Sequence, residues 1–109
     1  MAASIRRLHA DDLEAILQIQ AAAYPELAES PAAIADRLLQ APEWCWGVEH
    51  GGKLCAYLLT HPWLQSEPPA WNTALPLLPA QSTRLYIHDL ALASTARGSG
   101  VATRLIGAV

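Results

Sequence analysis

Six consecutive residues near the end of the chain, Arg97, Gly98, Ser99, Gly100, Val101 and Ala102, have the makings of an anion cradle. They follow an apolar run, "LYIHDLALA" at 85–93, and they open a segment with helical spacing. The first backbone N–H groups of a helix have no partner inside it. Together with the helix dipole they attract phosphate oxygens. Gly98 and Gly100 let the backbone approach an oxygen-rich ligand without a Cβ in the way. Ser99 adds a hydroxyl and Arg97 a permanent charge, with Arg104 one to two turns on. The chemistry is that of a pyrophosphate site. A Walker loop would end in Gly-Lys-Ser/Thr, which is missing here. A dinucleotide fingerprint would want a third glycine where Thr103 stands, and a downstream acid for which the chain has no room. The pattern R-x-x-G-x-A is matched residue for residue.

Just upstream are groups that could move a proton. An imidazole has an intrinsic pKa of about 6.5, which makes His88 chemically the better base, with a packed, hydrogen-bonded histidine as the other reading. Alternation along a strand puts Tyr86 on the same face as His88. It puts Asp89 on the opposite face unless a bulge shifts the register. Glu26 and Glu29 follow the first helical segment and are expected to be solvated loop acids; the resemblance given below implies reach to the acceptor as the alternative. His9, His50 and His61 are scattered and form no metal-binding pattern, so no metal is expected. Cys45 and Cys55 also lack metal spacing and read as two buried, reduced thiols.

These groups need elements to position them. "SIRRLHA" at 4–10 reads as a strand. Residues 11–24 read as a helix, with Asp11 as cap, Glu14 completing a capping box, and a face of Leu13, Ile16, Leu17, Ala21 and Tyr24; Pro25 ends it. Ser30 and Pro31 open a second helix over 30–40, with Ile34, Leu38 and Leu39 as its buried stripe. Residues 44–50 and 53–60 form a hairpin about Gly51-Gly52. The second of these strands is apolar nearly throughout, as a strand covered on both faces should be. Residues 62–83 hold five prolines and fit no regular element. They read either as a substrate-side flap carrying Trp63 and Trp71 or as a tolerated insertion. Strand 84–93 follows, then a helix from Gly100 with Val101, Leu105 and Ala108 toward the sheet. The order β-α-α-β-β-β-α is an α+β pattern with a mixed, mostly antiparallel sheet.

The bulk numbers narrow the classes. The 109 residues form one domain at most. A chain 52% hydrophobic and 16% charged is too apolar for disorder. A net charge of −3 offers no basic face for nucleic acid. No apolar run nears the roughly 20 residues that span a bilayer, and the N-terminus lacks a signal-peptide core. The expected compartment is the cytoplasm.

The stretch "LALASTARGSGVATRL" resembles the acetyl-CoA-binding motif of the GNAT superfamily of N-acetyltransferases, in which Q/R-x-x-G-x-G/A opens a helix after an apolar strand. Leu92 stands where that family usually has Val, and Ser94 where it often has Pro. The resemblance implies a GNAT-like fold and direct transfer of an acetyl group from acetyl-CoA to a primary amine in a ternary complex. The acceptor would be a small molecule or a protein or peptide amine. No cysteine near the motif points to an acyl-enzyme. Amides of residues 97–102 would hold the pyrophosphate, and the backbone of Leu90, Ala91 and Leu92 would run beside the pantetheine arm. The N–H near Leu92 would polarise the thioester carbonyl. Some members carry a glutamate base where Tyr86 stands. Members usually continue for about four more elements, so residues 1–109 would be a partial domain with strand 84–93 bare on one side. A second copy could cover that edge. A non-catalytic coenzyme A-binding module is the alternative reading, and a nucleotide-binding fragment of another fold a third.

Overall fold

A computed structural model describes residues 3–79 and 84–108. Strand β1 (Ser4–Arg7) leads through a short 3-10 turn into helix α1 (Leu13–Ala23), then helix α2 (Pro31–Gln40). Strands β2 (Cys45–His50), β3 (Lys53–Pro62) and β4 (Leu85–Leu92) follow, and helix α3 (Val101–Ala108) closes the described chain. The strands lie in the order β1-β2-β3-β4, every neighbouring pair antiparallel. The expected α+β order is the one observed.

The apolar character of β3 has the cause that its sequence implied. On one face Tyr57 and Leu59 pack with Ile16 and Ile19 of α1 and Ile34 and Leu38 of α2. On the other, Ala56 and Leu58 pack with Val48, Val101 and Leu105. Helices thus cover both faces of the sheet, and β4 lies at its edge.

Local chemistry sets the element ends, with some corrections to the sequence reading. Ser30 caps α2 as expected, its hydroxyl accepting from the Ala33 amide at 3.3 Å. The cap before α1 falls elsewhere than Asp11 and Glu14. The Asp12 carboxylate accepts from the His9 amide at 2.8 Å and is held by both terminal nitrogens of Arg6, at 2.9 and 2.8 Å. Arg6 also binds Glu49 on β2, so the guanidinium ties Asp12, at the N-cap position of α1, to the sheet. Leu39 is 80% exposed, because the buried stripe of α2 runs Ile34, Arg37 and Leu38 and Leu39 lies about 100° further round. Ala21 is exposed for the same reason, and Ile19 and Gln20 are buried instead. Arg37 is fully buried, donating to the carbonyls of Ala33 and Thr73. Cys45 is buried, its thiol pushed up to about 12 by that burial, while Cys55 is only half-buried.

The expected irregular segment is irregular over 63–79; residues 80–83 lie outside the described chain. Its two tryptophans part company. Trp63 is buried and donates to the Glu67 carbonyl at 2.8 Å. Trp71 is 60% exposed.

The Arg6 bond holds the Asp12 carboxyl below the usual carboxylate range. The unfolded chain therefore binds the extra proton first, and Asp12 stabilises the fold above that range and ceases to as the pH falls through its lowered folded value. Asp12→Asn should cost about 1 kcal/mol at neutral pH for a part-exposed, charge-assisted bond. Urea unfolding at pH 7 and at pH 3 checks this, because the gap between the variant and the parent should close in acid.

Candidate active site

The acidic and basic groups meet because β4 carries a bulge. Leu59 faces Asp89 and Thr60 faces Ile87, so His88 is an extra residue with no counterpart on β3. A bulge breaks the period of two. Asp89 was expected on the face away from His88; the bulge brings both to one cleft of about 360 Å³. Gln20 and Tyr24 of α1, Leu27 and Glu29 of the loop after it, and Trp71 complete its walls with Ile87 and Leu90. Tyr86 does not line the cleft. It lies beside His61 and His88, at ring separations of 5.5 and 6.4 Å.

Glu29 was read as a solvated acid and is buried; Glu26 is exposed, as expected. The Oε1 atom of Glu29 lies 2.5 Å from Nε2 of His88. Its Oε2 accepts from the Asn72 amide at 3.2 Å. The Asn72 side chain in turn accepts from the Ser30 amide at 2.7 Å, and Gln20 donates to the Glu29 carbonyl at 3.2 Å. A carboxylate can only accept, so the His88 Nε2 is the donor of this pair and Nδ1 is the ring nitrogen left over. Asp89 accepts from the Tyr57 hydroxyl at 2.6 Å. Burial pushes the Asp89 carboxyl above its usual range, and the Tyr57 bond opposes that. Burial raises the Tyr57 phenol, and donation to Asp89 raises it further.

Beside the cleft runs a groove of about 220 Å³ between Ala23 and Tyr24 on one side and Leu90, Ala91, Leu92 and Arg97 on the other. The Ala93 amide bonds the Cys55 carbonyl on β3 at 2.7 Å. By alternation, Leu92 and Leu90 turn their N–H and C=O groups to the open edge of β4. The Leu90 carbonyl there accepts from the Tyr24 hydroxyl at 2.7 Å. Tyr24 and Leu90 line both spaces and form the wall between them.

At the groove's end the 97–102 loop has the conformation its glycines implied. Gly98 and Gly100 hold φ of 77° and 79°, and a Cβ on either would meet nothing within 4 Å. The space above them is open to a ligand. The amides of Arg97 and Ser99 close turns on Ser94 and Ala96, and the Ser99 hydroxyl also bonds Ala96. The amides of Gly98 and Gly100 take no internal acceptor among the described residues. Those of Val101 and Ala102 begin α3 and so have no partner within it. Among the described residues, no cluster of His, Cys, Asp and Glu could hold a metal, and no helix is long and apolar enough to cross a membrane.

Sequence reasoning missed Tyr24 as a wall residue, the Glu29–His88 pair and the Tyr57–Asp89 pair. The five prolines around Trp71 were the available signal that loop 62–83 adjoins a site.

Residues 6–109 match the sequence model of the Acetyltransferase (GNAT) family. No curated protein matches the chain by sequence. Solved structures that it resembles include a GphF GNAT-like decarboxylase in complex with isobutyryl-CoA, at TM-score 0.85 and 20% identity, covering 95% of this chain and 55% of that one. The loading GNATL domain of CurA from Lyngbya majuscula aligns at 0.85 and 13% identity, covering 98% and 56%. The ribosomal-protein-S18-alanine N-acetyltransferase from Escherichia coli aligns at 0.71 and 16%, covering 98% and 56%. The chain thus spans just over half the length of these structures.

Removing the Tyr57 hydroxyl takes away the bond that favours ionised Asp89. In Tyr57→Phe the Asp89 carboxyl should titrate still higher than in the parent, at a stability cost of about 1 kcal/mol. Carboxyl carbon shifts followed by NMR across acid pH measure it. A lower or unchanged midpoint would mean that the hydroxyl does not support the anion.

Proposed function

The chain belongs to the acetyltransferase (GNAT) family, and from that premise we propose that it serves an acetyl-CoA-dependent N-acetyltransferase acting on a primary amine. The observation that carries this reading is the shared wall. An anion-binding loop, a groove along a free strand edge and a cleft with a carboxylate–histidine pair are contiguous through Tyr24 and Leu90. An acyl carrier with a diphosphate and an amine acceptor would need that arrangement. A likeness to a structure described with isobutyryl-CoA supports a coenzyme A thioester as the donor class.

Acetyl-CoA supplies the activated acetyl group. The residues present fit it. The amides of Gly98, Gly100, Val101 and Ala102, with the exposed Arg97, would receive the diphosphate at the start of α3. The outward N–H groups of Leu90 and Leu92 and the Leu92 C=O would pair with the arm, and the Leu92 amide would polarise the carbonyl. An amine must lose a proton to attack. His88, oriented through Nε2 by Glu29, would accept it at Nδ1 and is the base in this reading. Asp89 would hold the amine beside it. Tyr86, behind His88, would support the ring. The proposed setting is the cytoplasm.

His88→Gln should lower kcat at neutral pH by about 100-fold or more, as for loss of a general base, with coenzyme A affinity retained. Steady-state transfer assays on the full-length protein, with a coenzyme A titration alongside, test this; an unchanged kcat removes His88 from the mechanism. A glutamate at position 100 would carry a side chain at φ 79° and a negative charge into the cradle. Strain alone is about 1–2 kcal/mol. Gly100→Glu should therefore weaken coenzyme A binding at least about tenfold in a protein that circular dichroism shows folded. Unaltered binding would place the diphosphate elsewhere.

A further inference from the structure

The cleft beside His88 is polarised in a way that selects its ligand. Its floor holds two acids, the buried Glu29 and the half-buried Asp89. Its rim holds large apolar side chains that are otherwise poorly covered: Leu27, Trp71 and Ile87 are 65%, 60% and 51% exposed. Among the described residues, no lysine or arginine lines it, and no third acid does. Its volume, about 360 Å³, is at the small end for a small-molecule site.

The backbone beside Trp71 is held, because its neighbour Asn72 is fixed from two directions. The Asn72 amide donates to Glu29 Oε2 at 3.2 Å, and its side chain accepts from the Ser30 amide at 2.7 Å. Asn72 takes a left-handed φ of 57° there, a conformation asparagine tolerates better than most residues. The carboxylate that orients His88 thus also fixes the backbone that carries the exposed indole. An aromatic group on a fixed stretch of backbone, beside an apolar rim and an anionic floor, suits an amphipathic cation.

We infer that the acceptor is a small apolar monoamine, its cationic nitrogen received by Asp89 beside the buried Glu29–His88 pair and its alkyl or aryl body held by Trp71, Leu27 and Ile87. This rests on the transfer reading above. An α-amino acid would bring its carboxylate against Glu29 and Asp89, with no cation in the cleft to receive it. A diamine would leave its second ammonium at the rim without an acid to pair with.

The test is acetyl transfer by the full-length protein to 2-phenylethylamine, butylamine, 1,4-diaminobutane and phenylalanine, with coenzyme A binding titrated on the same samples. 2-Phenylethylamine should be the best of the four. Phenylalanine, which differs from it by the carboxylate alone, should fall at least about 100-fold below it in kcat/KM. Trp71→Ala should lower kcat/KM for 2-phenylethylamine about tenfold, mainly through KM, and Trp71→Phe should restore most of the loss. Equal or better use of phenylalanine or the diamine overturns the inference and leaves the transfer reading standing. So does a Trp71→Ala protein that uses 2-phenylethylamine as well as the parent. Coenzyme A binding without transfer to any amine overturns the transfer reading, and this inference with it.

Discussion

One buried carboxylate organises this face of the molecule. Glu29 lies in the loop between α1 and α2, far in sequence from both groups that its carboxylate holds. Burying an ion is costly unless its lone pairs are filled. Here one oxygen is taken by His88 on β4 and the other by the Asn72 amide, 59 and 43 residues away. Its backbone carbonyl is taken by Gln20. Three parts of the chain are tied at one residue: the C-terminal half of α1, the irregular 63–79 segment and the edge strand. Without Glu29 the segment would lose the contact that fixes Asn72, and the imidazole would lose its orienting partner.

That arrangement depends on the bulge in β4. In a regular strand His88 and Asp89 would point to opposite faces, one toward α1 and one toward α3. The extra residue turns both to the α1 side, where Tyr57 meets Asp89 and Glu29 meets His88. Past the bulge the strand resumes its alternation, and the outward N–H and C=O groups at Leu90 and Leu92 follow from it. The bulge thus joins a stretch that presents side chains to a stretch that presents backbone.

How much of this could be read from sequence depended on the range of each interaction. The glycine turn at 51–52, the Ser30 cap and the positive φ of Gly98 and Gly100 are local, and their residues announce them. The two-sided covering of β3 was legible because its apolar run is unbroken. The start of α1 was missed by one residue because residues 10–12 form a 3-10 turn, with the Asp12 carboxylate turned back to the His9 amide and to Arg6 on β1. Arg37 at full burial had no signal, since its acceptors are the Ala33 carbonyl of its own helix and a loop carbonyl 36 residues on. Asp89 was foreseen only conditionally, because nothing in the string "YIHDLA" says where an extra residue enters a ladder. Glu29 could not be told from Glu26 by type or position; only the tertiary fold buries one and leaves the other in water.

The shared wall also bears on how two ligands could meet. Tyr24 donates to the Leu90 carbonyl, so it satisfies an acceptor on the open edge of β4 while leaving the neighbouring amides unengaged by it. With that acceptor filled, the open edge still offers the Leu90 and Leu92 amides, beside the Leu92 carbonyl. Donors are what a thioester carbonyl requires, and a carbonyl is what the amine must reach from the other side of the same residue. The burial that raises the Tyr24 phenol keeps it neutral and able to donate. Charge is therefore kept out of the wall itself and confined to the two ends, with Arg97 by the cradle and Glu29 and Asp89 in the cleft. An anionic carrier and a cationic acceptor would each be drawn to its own side, and the only uncharged ground between them is where transfer would have to occur.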